Sequence, residues 1–224
     1  MIILKHLIYK EWLKTRWFAT IAMLLNLGVV IYIFVSLRSS FISAGGVAYL
    51  STLMTYKMQF FSLYRYVPLV VALLIGLSQF VPEVTDKRIK LALHLPLNNL
   101  HIIYTMVLYG FVLLIAIILP GILIFTGLIS IYLPAEITVP ILQTMYPWVL
   151  GGFCAYFLIA MIAMEPIWKF RFLYILISYE VLSLFLRNFS IGNAATLIPV
   201  LCLITCLSSI APIYTSYRFN KGQL

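Results

Sequence analysis

The chain has 224 residues, of which 64% are hydrophobic and 9% charged, and its formal net charge is +9. Soluble domains carry about 25% charged residues, so this composition excludes a soluble globular protein and predicts helices that span a bilayer. The polar segments between the apolar runs are too short to form a separate water-soluble domain.

The N-terminal segment 1–17 is basic and amphipathic. Apolar residues recur every three or four positions on one side, and its charged part contains Lys10, Glu11, Trp12 and Lys14. Basic amphipathic helices that carry tryptophan tend to lie along a membrane surface. The apolar run that follows is too long for a secretory signal, and no cleavage pattern closes it. We therefore expect a retained surface helix over residues 1–17, called the elbow helix.

Six apolar runs that are long enough to span a bilayer follow the elbow helix. Their predicted limits are 18–37, 60–82, 102–133, 146–164, 170–186 and 194–217. At about 1.5 Å per residue the third run exceeds a ~30 Å hydrocarbon core. It is either one long span kinked at Pro120 or one span with a partial re-entry. We predict an all-α integral membrane protein in which residues 1–224 form one domain, with the elbow helix and six transmembrane helices.

Lysine and arginine residues are distributed unevenly between the two sides of this topology. With both termini in the cytoplasm, eleven lie inside, namely Lys5, Lys10, Lys14, Arg16, Lys87, Arg88, Lys90, Lys169, Arg171, Arg218 and Lys221. Four lie outside, namely Arg38, Lys57, Arg65 and Arg187. Cytoplasmic loops are enriched in these residues, so we expect both termini inside. A nucleic-acid partner is not needed to explain the positive charge.

Residues 83–101 are the most polar stretch between the runs. Ile89 and Leu93 would lie on one apolar side of a short helix, although the alternating apolar residues also fit a strand. A lone strand at a membrane surface would leave its edges unpaired, so a helix is favoured. An apolar ridge surrounded by charges suits a cleft on a soluble partner; an ordinary positive loop that sets topology is the alternative. The candidate docking residues are Glu83, Asp86, Lys87, Arg88, Ile89, Lys90, Leu93 and His94.

The sequence contains none of the usual signatures of an enzyme. All three histidines fall in predicted cytoplasmic segments, and there is no HExxH, CxxC or Walker A motif. Cys154, Cys202 and Cys206 lie inside apolar runs, where we expect them to act as packing residues. We therefore expect no catalytic residue, no metal site and no cofactor in this chain, and no nucleotide hydrolysis by it.

Glu180 is the one charged residue near the middle of a predicted span, ten residues after Phe170. An ionisable residue at this depth is a candidate for a translocation path. Alternatively, Glu180 is protonated, or hydrogen-bonded to Tyr174, Tyr179 or a neighbouring helix.

Three short motifs give the chain a resemblance to a known family. Lys10-Glu11-Trp12-Leu13-Lys14 precedes the first span, Phe80-Val81-Pro82-Glu83 ends the second, and Leu93-His94-Leu95-Pro96-Leu97 precedes the third. With its topology, the chain resembles the permease subunit of bacterial type-2 ABC transporters, a class that includes exporters of lipids, polysaccharides, peptides and drugs. The family often has a Gly-Thr pair where this chain has Lys87-Arg88-Ile89-Lys90.

The resemblance implies a function and a set of partners. Two six-span permeases, identical or related, would face each other among the lipids of the bacterial cytoplasmic membrane. Two cytoplasmic ATPase subunits below them would bind ATP and Mg²⁺. Residues 83–101 are called the coupling segment. Its part 83–97 would bind in a groove of the ATPase and drive export. The alternatives are a secondary transporter or a six-span substrate-capture subunit that uses Glu180, and a membrane assembly factor without transport activity.

Overall fold

The computed structural model describes residues 2–56, 59–85, 99–187 and 196–220, and most of these residues are helical. No strand occurs in these ranges. The helices are α1 (Ile2–Ala44), α2 (Gly46–Tyr56), α3 (Val67–Thr85), α4 (Asn99–Ile129), α5 (Ala135–Met164), α6 (Trp168–Phe185), α7 (Ile198–Ser208) and α8 (Ala211–Asn220). A short 3₁₀ helix, Ser62–Tyr66, precedes α3.

Five helical segments among the described residues are long and apolar enough to cross a membrane. They are His6–Ala44, Ser62–Thr85, Ile102–Ile129, Ala135–Met164 and Ile198–Thr215. The chain is therefore a multi-pass membrane protein built from helices, which confirms the predicted class. Helix α6 is not among the five, and it carries three charged residues, Lys169, Arg171 and Glu180.

Helix α1 is continuous from Ile2 to Ala44, a length of roughly 65 Å. The predicted boundary between an elbow helix (1–17) and a first span (18–37) is absent from the structure, because no helix end lies between them. The elbow helix is the N-terminal part of α1. The helix ends at Gly45, whose φ of 75° lies in the left-handed region that glycine adopts without steric cost.

Helix α3 extends further than the predicted span 60–82. It continues through Pro82 to Thr85, so Glu83 lies in its last turn rather than at the start of a separate segment. A proline removes one backbone donor, and near a helix C-terminus the loss of one hydrogen bond does not end the helix. The rest of the coupling segment up to residue 98 lies outside the described residues.

Helix α5 begins eleven residues before the predicted start at 146, with Pro140 and Pro147 inside it. The tertiary packing of α5 compensates for these prolines, since α5 is the central helix and contacts α3, α4, α6, α7 and α8. Gly152 allows this close packing, because a Cβ there would lie 2.7 Å from Pro68 Cβ.

The remaining limits differ less from the predicted ones. Helix α4 (Asn99–Ile129) replaces the predicted 102–133 and contains Pro120, and α6 (Trp168–Phe185) replaces 170–186. The predicted span 194–217 contains two successive helices, α7 and α8. The main apolar core lies between α1, α3, α4 and α5, and a smaller cluster that includes Cys154 and Phe185 packs on the other side of α5.

Candidate functional site

Four charged side chains meet where the N-terminal part of α1 lies against the last turn of α3. Lys10 Nζ is 2.8 Å and Lys14 Nζ 2.7 Å from Glu83 Oε1. Lys14 Nζ also lies 2.7 Å from Glu11 Oε1. Two lysines and two carboxylates thus form a cluster with balanced charge, called the ion cluster.

The two acidic residues of the ion cluster are buried. The residues Glu11 and Glu83 are 0% exposed, whereas the side chain of Lys14 is 10% and that of Lys10 37% exposed. Removal of one partner from a buried ion pair leaves an uncompensated charge and costs about 3–5 kcal/mol. The contacts of Lys14 are therefore structurally more important than that of the more exposed Lys10.

Helical spacing explains why α1 can provide three members of this cluster. Lys10 and Lys14 are four residues apart, and Glu11 and Lys14 three apart, so all three lie on neighbouring positions of one helix surface. Glu83 reaches them because α3 continues as a helix past Pro82.

A hydrogen-bonded layer continues from the ion cluster into the core. Thr15, four residues after Glu11, is buried; its hydroxyl donates to the Glu11 carbonyl (3.0 Å) and lies 2.9 Å from the Tyr109 hydroxyl on α4. Buried hydroxyls need such partners, because desolvation of an unpaired polar group is unfavourable. This layer therefore connects α1 to α4 next to the ion cluster.

Gln79 holds a second part of this layer together. It lies one helical turn before Glu83; its Nε2 donates to the Met106 carbonyl (2.7 Å), and its Oε1 accepts from the Tyr156 hydroxyl (2.8 Å). Gly110 makes room for this arrangement, since a Cβ there would overlap both the Tyr156 hydroxyl and Gln79 Oε1. Helices α3, α4 and α5 are thereby joined through one buried amide.

A separate polar contact joins α1 and α4 further along both helices. Asn26 is buried, and its Nδ2 donates to the Ile117 carbonyl at 2.7 Å. A Cβ at Gly121 would overlap the Asn26 side chain, so the glycine permits the close approach.

The structure brings together four of the residues that the sequence analysis selected, namely Lys10, Glu11, Lys14 and Glu83. Trp12 is exposed and takes no part in the ion cluster. Glu180 is exposed on α6. The other candidate docking residues, Asp86, Lys87, Arg88, Ile89, Lys90, Leu93 and His94, lie outside the described residues.

The sequence analysis missed Thr15, Gln79, Tyr109 and Tyr156. A signal existed for two of them: Thr15 follows Glu11 by four residues and Gln79 precedes Glu83 by four, so each shares a helix face with an acid of the ion cluster. No comparable signal pointed to the two tyrosines, because their partners come from other helices.

Within the described residues, no group of three or more His, Cys, Asp or Glu side chains is placed to hold a metal ion. The ion cluster is buried and balanced in charge, and its contacts join α1 to α3 through one oxygen of each carboxylate; Glu11 Oε2 and Glu83 Oε2 are buried without a hydrogen-bond partner among the described residues. Comparison of the chain with protein-family models, curated proteins and solved structures gave no match.

Proposed function

We propose that the chain is the membrane-spanning subunit of an ATP-driven exporter of the type-2 ABC class, powered by separate cytoplasmic ATPase subunits. The observation that supports this function best is the ion cluster of Lys10, Glu11, Lys14 and Glu83. It joins the elbow helix to the last turn of α3, immediately before the residues that would dock on the ATPase.

The first step of the proposed mechanism is the transfer of a displacement from the coupling segment to α1 and α3. Glu83 is buried against α1, so the stretch that docks on the ATPase would begin after it. Closure of the ATPase would move residues 86–97, which follow directly on Thr85. Because separation of buried ion pairs costs about 3–5 kcal/mol, the last turn of α3 and the N-terminal part of α1 would move together. The ion cluster would thus prevent the displacement from being absorbed at the end of α3.

The second step is the transfer of this displacement to the rest of the helices. Gln79 binds both the Met106 carbonyl on α4 and the Tyr156 hydroxyl on α5. Movement of α3 would therefore shift α4 and α5, and a path for the substrate would open between two permease subunits. Packed helices move as rigid units in response to such shifts, because close-packed protein cores deform little.

Six membrane crossings are proposed, namely the five apolar segments and α6. Its 18 residues span about 27 Å, close to a ~30 Å hydrocarbon core. Lys169 and Arg171 lie at its start, where long basic side chains can reach the interface. With both termini inside, the excess of lysine and arginine faces the cytoplasm, as expected for a bacterial cytoplasmic membrane.

A second permease subunit is part of the proposal. The outer side of α6 is exposed and mostly apolar, with Leu173, Leu176 and Glu180 on it. A carboxyl group that faces lipid is costly, so contact of this side with another permease or with the substrate path would be favourable. Glu180 is for this reason the candidate residue of the path.

Co-purification tests the proposal directly. A tagged chain should retain an ATPase subunit that carries a Walker A motif, and replacement of Asp86, Lys87 and Arg88 by alanine should release it. Lys169→Ala is the matched control, because it removes a basic residue of the same predicted side outside the coupling segment. Retention of the ATPase by the triple variant with unchanged ATP-driven transport would disprove the docking assignment; absence of any ATPase from the wild-type preparation would disprove the function.

A further inference from the structure

A groove with a volume of about 490 Å³ runs along one side of the molecule. Helix α5 forms its floor, and α3 and α6 form its two walls. The lining is almost entirely apolar, with Leu73 and Leu77 on one wall, Ile175 on the other and Leu158 on the floor. The volume lies in the range of about 300–1,000 Å³ that is typical of pockets for small molecules.

The groove is long and narrow along the direction of the helices. It follows α3 from Leu69 to Thr85, which is roughly 24 Å at the helical rise. One leaflet of a bilayer has a hydrocarbon depth of about 15 Å, half of the ~30 Å core. An extended hydrocarbon chain of a membrane lipid therefore fits along the groove from its end at Thr85 towards the middle of the bilayer.

A positively charged side chain lies at the Thr85 end of this apolar groove. Arg171 lines the groove in the first turn of α6; its Nη2 donates to the Glu165 carbonyl at 2.7 Å, and its guanidinium carbon lies 4.8 Å from the centre of the Trp168 ring. Its Nε is buried and has no hydrogen-bond partner among the described residues. The guanidinium is thus held in place at this end of the groove; because its Nε is enclosed by protein, a head group would reach it at the Nη groups.

We propose that this groove binds one anionic phospholipid of the surrounding membrane, with the phosphate at Arg171 and one acyl chain along the apolar walls. Basic pockets between transmembrane helices are suited to anionic head groups, because a guanidinium forms charge-assisted hydrogen bonds with phosphate. A free phosphate would leave the apolar walls without a partner. A zwitterionic lipid offers the same phosphate, but its quaternary ammonium would place a second positive charge beside Arg171.

The inference is tested on the purified full chain in detergent micelles with two probes that share the same dioleoyl chains. Phosphatidylglycerol is anionic and phosphatidylcholine has no net charge, and native mass spectrometry counts the lipids that stay bound. The wild type should bind one phosphatidylglycerol about tenfold more tightly than phosphatidylcholine, because both offer a phosphate but only the choline head group adds a positive charge near Arg171.

Two variants separate the head-group contact from the acyl-chain contact. Arg171→Gln should abolish the preference for phosphatidylglycerol, whereas the matched control Lys169→Gln should keep it, because Lys169 is exposed and does not line the groove. Ala163→Phe leaves Arg171 unchanged but adds a ring on the groove floor. It should weaken the binding of both lipids.

Equal binding of the two lipids by the wild type would overturn the proposal. So would an unchanged preference in Arg171→Gln, or unchanged binding of both lipids in Ala163→Phe. If the groove instead holds a second copy of the chain, the wild type should form dimers at every lipid ratio and Ala163→Phe should dissociate them. That result would also contradict a bound lipid.

Discussion

Lys14 Nζ lies 2.7 Å from Glu83 Oε1, although the two residues are 69 positions apart in the sequence. The contact connects the N-terminal part of α1 with the last turn of α3. Lys14 also binds Glu11 in its own helix, so one ammonium group bridges two buried carboxylates. The energetic weight of the ion cluster therefore rests on Lys14 and Glu83, and substitutions there test it most directly.

Replacement of Lys14 by methionine should destabilise the protein far more than replacement of Lys10. Lys14 is nearly buried and contacts both Glu11 and Glu83, so its removal should cost about 3 kcal/mol. Lys10 is more exposed and contacts Glu83 alone, so Lys10→Met should cost about 1 kcal/mol or less. The free energy of unfolding in detergent measures both. Equal effects of the two variants would show that burial of the pairs does not control their strength.

Replacement of Glu83 by glutamine should disrupt both lysine contacts at once. Glutamine has nearly the same shape but no charge, so Lys10 and Lys14 would share Glu11 alone and the cluster would carry an excess positive charge. We expect a loss of about 3 kcal/mol. Glu136→Gln is the control, since Glu136 is exposed in the first turn of α5. A Glu83 variant as stable as this control would contradict the structural role of the ion cluster.

The same Glu83 variant bears on the proposed transport function. If the ion cluster transmits the displacement of the coupling segment, Glu83→Gln should keep the ATPase subunit bound but reduce substrate transport per ATP hydrolysed. Transport and ATPase rates, measured together in reconstituted vesicles, give this ratio. An unchanged ratio of transport to ATP hydrolysis would show that the ion cluster contributes to stability but not to coupling.

Replacement of Gly110 by alanine should destabilise the junction of α3, α4 and α5. The added Cβ would overlap the Tyr156 hydroxyl and Gln79 Oε1, and overpacking of this kind costs about 1–3 kcal/mol. Gly127→Ala on the same helix is the matched control, because a Cβ at Gly127 meets nothing within 4 Å. Alanine should stabilise α4 there by up to about 1 kcal/mol. Unfolding in detergent should thus shift in opposite directions for the two variants.

Replacement of Glu180 by glutamine should leave assembly intact and change transport. The residue is exposed on α6 and glutamine has nearly the same shape, so the substitution removes no packing contact within the chain. Transport should change because the proposal places Glu180 at the substrate path or at the second permease. Size-exclusion chromatography and vesicle transport measure the two properties, and transport at the wild-type rate would remove Glu180 from the path.

The helical membrane class could be predicted from the sequence because apolar run length alone indicates it. Helix limits were harder to predict where the sequence changes from polar to apolar while the helix continues. At Arg16 and Trp17 the chain passes from charged to apolar residues, yet no glycine or proline stops α1 there. Pro140 lies in a stretch predicted as a loop before residue 146, but the packing of α5 against five other helices outweighs the backbone hydrogen bonds that Pro140 and Pro147 remove.

The members of the ion cluster could be selected from the sequence, but the contacts between them could not be predicted from it. Lys10, Glu11 and Lys14 were selected for their place in an amphipathic segment, and Glu83 for its place at the end of an apolar run. Helical spacing relates residues three or four positions apart and carries no information about partners on another helix. The contacts of Tyr109 and Tyr156 were missed for the same reason.

The order of synthesis gives the ion cluster a second consequence. Glu11 is the single acidic residue that precedes Glu83 in the chain. At about 5–20 residues per second, a ribosome needs roughly 3–14 s to add the 69 residues that separate Lys14 from Glu83. During this interval the start of α1 carries an excess of unneutralised lysine, and such charge favours retention of an N-terminus in the cytoplasm. In the proposed topology, the same lysines would act first as an insertion signal and afterwards as partners of Glu83.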